Sequence, residues 1–265
     1  MTALRLELRR TRSLAVALAV SLGVYAAIMG VMYPVLRSND ALMTEYMKAL
    51  PKEFLAAFGM TGLLSDPGVF FTTYMASWLW PIIAVCAALI GGTRAVAVDL
   101  DRGFLDLAIS TPLSRVRYLG ASILAQVLLM ATLAASGTLI LWGVGRLAGG
   151  DFDLGGFLMA GVLSFAFGCA LAGPTTLCSV ITLSRGVSSA IVGGIVVAMY
   201  VIFVVTQISP DWGWLGPLSA WNHFPTTRVI DAGYAPVGDL ALFAVIAIGA
   251  WAAALWAFKR RDLAA

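Results

Sequence analysis

Six separate runs of this chain are long and apolar enough to cross a lipid bilayer, and that narrows its folds more than any other feature. Roughly 20 consecutive apolar residues span the hydrocarbon core as a helix. The runs lie at about 14–36, 71–95, 118–147, 156–183, 187–208 and 240–258. With no water to satisfy backbone groups in lipid, each must be an α-helix. Composition agrees: 60% of residues are hydrophobic and 12% charged, where soluble domains carry about 45–50% and about 25%. The sequence therefore predicts an all-α membrane protein, a single transmembrane domain over 1–265 with six transmembrane helices. The first run is also too long for the apolar core of a signal peptide.

Charge placement orients the helices. An even number of spans puts both ends of the chain on one side. That side collects Arg5, Arg9, Arg10, Arg12, Arg94, Arg102, Arg115, Arg117, Arg185, Lys259, Arg260 and Arg261. The other side holds Arg37, Lys48, Lys52, Arg146 and Arg228. Basic residues stay on the cytoplasmic side, so both termini are expected there, with the chain in the cell (plasma or inner) membrane.

The segments between spans carry their own patterns. Over residues 3–12, Arg5, Arg9 and Arg12 share one helical face and Leu4 and Leu8 another. This reads either as an interfacial helix or as a charged flank that fixes topology. In 38–69, Leu42, Met43, Tyr46, Met47 and Leu50 recur at helical spacing and Pro51 starts a second short helix. These helices rest on the outer face or cover a pathway. Residues 209–237 combine Pro210, Pro217, Pro225 and Pro236 with Trp212, Trp214 and Trp221. That predicts a broken helical element at the outer interface. Pro81 and Pro174 should kink the second and fourth spans. Cys86, Cys169 and Cys178 lie in apolar runs without a C-x-x-C pair, so they read as small buried residues.

Several chemistries lack their residues. No G-x-x-x-x-G-K-[ST] occurs, so the chain offers no P-loop for ATP. The single histidine, His223, lies outside the spans and rules out H-E-x-x-H. An intramembrane serine protease needs a histidine base within a span. The span centres hold no ionisable group, only Gln126, Thr132, Ser136, Ser164, Thr175, Thr176, Ser179 and Gln207. Such residues bond across helices or line a pathway for an amphiphile. No catalytic or metal residue and no nucleic-acid partner is expected.

One stretch breaks the apolar pattern: DLDRGFLDLAISTPLSRVRYLGA, from Asp99 to Ala121. Gly103 to Ile109 is long enough for two helical turns, with Phe104, Leu105 and Leu107 as an apolar face and Asp106 polar. Ser110-Thr111-Pro112 ends that helix. Thr111 is placed to cap the next one, with Pro112 at its first position. Arg115 and Arg117 then meet the membrane edge. The physics fits a helix parallel to the membrane that binds a cytoplasmic partner, and equally an interfacial loop.

DLDRGFLDLAISTPLSR resembles the cytoplasmic motif of ABC-2 type transporter permeases. That motif runs two acids, a glycine, then L-E-L-L-L-x-T-P-x-S-R. Asp99, Asp101, Gly103, Leu105, Asp106, Leu107, Thr111, Pro112, Ser114 and Arg115 match in type and order, with aspartate where glutamate is usual. The closing LGPLSAWNHF…VIDAG…FKRRDL also looks like that family's end. The resemblance implies the membrane subunit of an ATP-driven exporter. It pairs with a second permease copy or a related permease, and separate ATPase subunits, carrying ATP and Mg, bind beneath. Asp99–Arg115, including Phe104, would be the coupling helix between spans two and three. Gln126, Thr132, Ser136, Thr175, Thr176, Ser179 and Gln207 are the candidate pathway residues. The alternative is a membrane scaffold or assembly factor that transports nothing.

Overall fold

A computed structural model describes residues 3–51, 54–55, 67–101, 114–150 and 152–260. Among the described residues every regular element is helical. The helices are α1 (Ala3–Ser38), α2 (Asp40–Ala49), α3 (Pro67–Phe70), α4 (Trp80–Arg94), α5 (Ala97–Asp101), α6 (Arg115–Leu147), α7 (Leu154–Thr182), α8 (Arg185–Ile208), α9 (Thr226–Ala232) and α10 (Val237–Arg260). A π-helical segment, Phe71–Leu79, feeds directly into α4. Six stretches are long and apolar enough to span a membrane: α1, the π-segment with α4, α6, α7, α8 and α10.

Capping side chains set where the helices begin. Ser114, Asp153 and Ser184 precede α6, α7 and α8 in extended conformation, and each accepts a backbone N–H three residues on. These caps satisfy otherwise orphaned donors. The cap of α6 is therefore Ser114 rather than the expected Thr111, because Ser114 is the residue whose hydroxyl reaches the Arg117 amide. Residues 3–12 run into the first span without interruption; nothing in Arg12-Ser13-Leu14 breaks a helix. Pro81 follows directly on the π-helical Phe71–Leu79, so its missing N–H falls where the helix changes from π to α. Pro174 lies inside α7, where the next two hydroxyls turn back to helix carbonyls, Thr175 to Leu171 and Thr176 to Ala172.

Helix α7 is the hub. It packs on α4, α6, α8, α9 and α10, while α1 lies along α6 and touches α4. Its most apolar window is 56% buried, against 11% for α1 and for α8. Apart from a stripe of Leu22, Ala26 and Tyr33, α1 turns Val16, Val20, Val24, Val31 and Val35 outward. In a bilayer such faces are solvated by lipid.

A main core runs through the bundle and a smaller one lies at one end. In the main core Tyr33, Phe70, Phe71, Phe152 and Phe157 form a chain of rings with centroids 5.2–6.0 Å apart. Offset and edge-on ring pairs at this spacing are favourable. Ala95, Val96, Leu119, Val180, Ala254 and Phe258 make the smaller core. The Tyr118 ring lies 6.4 Å from that of Phe258, tilted by 32°, and Arg94 donates to the Arg10 carbonyl at 3.4 Å. The start of α1 and the end of α10 thus lie at the same end of the bundle.

The segments 38–69 and 209–237 are helical where described; of the second short helix expected after Pro51 only Phe54 and Leu55 lie among the described residues. α2 carries the 42–50 stripe, yet no α2 residue is buried and Leu42 and Tyr46 are exposed. Pro210–Leu218 is a 3-10 helix with Trp212 and Trp214 exposed, followed by α9. Ser219 donates to the Met199 carbonyl at 2.7 Å and fixes this segment to α8. His223 Nδ1 lies 2.7 Å from Asp239 and its Nε2 lies 3.2 Å from the Pro217 carbonyl. Of the cysteines, Cys169 is buried as expected and Cys178 half-buried, but Cys86 is exposed on the outer surface of α4.

Candidate functional site

A buried polar layer lies beside the smaller core, where α4, α6 and α7 meet. Small residues make it possible. A Cβ on Gly92 would sit 2.5 Å from Thr175 Cβ and 2.6 Å from its Cγ2. Glycine is thus what lets α4 approach α7 so closely, as small residues do between membrane helices. At Gly91 a Cβ would lie 3.5 Å from Gln126 Cγ, an ordinary contact, so the tight approach belongs to Gly92.

Close approach brings polar groups into register. Ser179 donates to the Thr93 carbonyl at 3.2 Å and accepts from the Ala97 amide at 3.0 Å. These two bonds tie the junction of α4 and α5 to α7, across more than eighty residues of sequence. The Thr93 hydroxyl turns back to the Leu89 carbonyl at 2.8 Å. Thr176 Oγ1 lies 2.9 Å from Gln126 Oε1 and 2.8 Å from the Ala172 carbonyl. A hydroxyl has one proton, and Gln126 Nε2 is buried without a partner among the described residues. Turning the Gln126 amide by half a rotation resolves both: Nε2 donates to Thr176, and Thr176 donates to Ala172.

The structure brings together four of the seven pathway candidates: Gln126, Thr175, Thr176 and Ser179. All four are buried. The others stand apart. Thr132 is exposed on α6 and bonded to the Leu128 carbonyl; Gln207 is exposed near the end of α8. Ser136 is half-buried and bonded to the Leu133 carbonyl. Thr93, Gly91 and Gly92 belong to the layer and were not candidates in the sequence. Their signal is a Gly-Gly-Thr run next to Arg94, at the same end as a Thr-Thr pair.

Of the coupling candidates, Asp99 and Asp101 lie on α5, and Arg115 is the first residue of α6, half-buried. Gly103, Phe104, Leu105, Asp106, Leu107, Thr111 and Pro112 lie outside the described residues. The two ends of this stretch are fixed against one core. Leu100 packs on the group of Ala95, Val96, Leu119, Val180, Ala254 and Phe258, and Leu119 follows four residues after Arg115. The chain therefore leaves and re-enters the bundle at the end that also holds Arg10 and Phe258.

No model of a known protein family matches the chain, and no curated protein matches it.

Proposed function

We propose that this chain is the membrane-spanning permease subunit of an ATP-binding cassette exporter in the cell membrane. It moves a lipophilic or amphipathic substrate with energy from separate ATPase subunits, and works beside a second permease copy or a related one. What supports the reading is where the two ends of the Asp99–Arg117 stretch lie, Asp99–Asp101 on α5 and Arg115–Arg117 on α6. The sequence of that stretch resembles the permease motif. Its two anchors share a core with α4, α6, α7 and α10, so a load applied between them reaches four spans at once.

The polar layer gives that load a path. α5 is bonded through Ala97 to Ser179 on α7, and Gln126 and Thr176 join α6 to α7. Closure of two ATPase subunits beneath would press on 102–113 and tilt this unit as a rigid body, a common form of alternating access. Both termini and Asp99–Arg117 face the cytoplasm in this reading. Substrate selection by charge is not expected, since the span centres carry none.

The test is co-purification of the ATPase with variants of the chain, alongside transport. Leu105→Asp places a carboxylate in the docking face. Burying it unpaired costs several kcal/mol after relaxation, which lowers ATPase association by about a hundredfold or more. Asp101→Ala should matter far less, since an exposed ion pair is worth about 0–1 kcal/mol. If Leu105→Asp leaves association and transport unchanged, the reading fails.

A further inference from the structure

A cleft of about 290 Å³ opens between the first half of α1 and the middle of α6. Leu8, Arg12, Ala15 and Ala19 form its α1 wall, and Leu128 and Thr132 face them from α6. The wall is aliphatic except for Arg12 and two hydroxyls. Those hydroxyls have their protons engaged, Thr11 to the Glu7 carbonyl at 3.0 Å and Thr132 to the Leu128 carbonyl at 2.8 Å. Arg12 is therefore the wall's free donor, with a planar fork suited to phosphate.

Charge and depth identify the occupant. Arg5, Arg9 and Arg12 follow one face of α1 at helical spacing, all exposed and without an ion pair among the described residues. The nearby acid, Glu7, is buried and held by Arg10 at 3.2 Å. An anionic headgroup there meets Arg12, with Arg9 and Arg5 farther along the same face of α1, whereas the ammonium of a zwitterionic lipid meets no free acid. Arg12 also stands at the edge of the apolar run that begins at Leu14. From Arg12 to Ala19 the cleft follows α1 for about 10 Å, at 1.5 Å per residue.

We propose that this cleft binds one anionic phospholipid, its phosphate on Arg12 and one acyl chain along Ala15 and Ala19 against Leu128. The site does not depend on the transport reading. It is a lipid contact of α1, the helix whose outward face is otherwise bare.

Native mass spectrometry of the purified full chain, released from nanodiscs of equal phosphatidylglycerol and phosphatidylcholine with identical acyl chains, tests it. The wild type should retain phosphatidylglycerol preferentially. A cation near an anionic lipid surface is worth about 1 kcal/mol, so Arg12→Gln should lower that preference about fivefold. Lys259→Gln, an exposed cation on α10, should leave it unchanged. Ala15→Trp fills the groove and should lower retention of both lipids. Free glycerol phosphate, which has the headgroup without the chains, should not compete. An unchanged preference in Arg12→Gln, an equal loss in Lys259→Gln, full retention in Ala15→Trp, or displacement by glycerol phosphate would each overturn the proposal.

Discussion

Replacing Gly92 with alanine adds one methyl group where the structure has no room for it. The new Cβ would lie 2.5 Å from Thr175 Cβ and 2.6 Å from Cγ2. Carbon atoms pack at about 3.5–4.0 Å, so α4 and α7 must separate by about 1 Å. The clash is with a β-carbon fixed to the α7 backbone, so no side-chain rotation relieves it. The Ser179 bonds to Thr93 and Ala97, now 3.2 and 3.0 Å, would then exceed hydrogen-bonding range. Overpacking costs about 1–3 kcal/mol, and each lost bond between membrane helices about 0.6 kcal/mol. Alanine's better helix propensity returns at most about 1 kcal/mol. The net expectation is a loss of about 2 kcal/mol. Gly193, in α8, is the control, because its Cβ would meet nothing within 4 Å. Equilibrium unfolding in mixed micelles should show Gly92→Ala destabilised and Gly193→Ala not. The double variant Gly92→Ala/Thr175→Gly, which removes the opposing Cβ, should recover much of the loss. Equal midpoints for the two glycine variants would refute the close-approach argument.

Three further outcomes follow from the same geometry and from the proposed role. Ser179→Ala removes both bonds that tie the α4–α5 junction to α7. It should cost about 1–3 kcal/mol in the same unfolding assay and loosen protease protection near Asp101. A membrane-impermeant thiol reagent applied to intact cells should label Asp211→Cys and spare Arg117→Cys, both exposed positions; the reverse pattern would invert the proposed orientation. The purified chain alone should show no ATP hydrolysis in a phosphate-release assay, since it has no P-loop.

Span number was readable because lipid imposes a length and a hydropathy that few other constraints mimic. Span ends were readable only to within a few residues. The apolar runs begin at about 118, 156 and 187, whereas the helices begin at Arg115, Leu154 and Arg185. Hydropathy reports where lipid begins, while the cap side chains of Ser114, Asp153 and Ser184 decide where the helix begins. The π-helical Phe71–Leu79 has the hydropathy of an ordinary span, and its wider turn leaves no periodic mark over nine residues. The polar layer was half legible. Gln126, Thr175, Thr176 and Ser179 stand out because polar residues are scarce in spans. Thr93 did not, because it sits beside Arg94 and reads as part of the charged flank. Its partner Ser179 is 86 residues away, a pairing set by packing at Gly92 that no local pattern encodes.

The central claim is that residues 99–117 dock an ATPase subunit. A photo-crosslinking amino acid at position 105, activated in native membranes before solubilisation, tests it most directly. The account predicts one dominant adduct, whose second component is a cytoplasmic ATPase subunit carrying a P-loop, and which is lost when Asp106 and Leu107 are replaced together. An adduct only to lipid, to this chain itself or to a protein without an ATP site would contradict it.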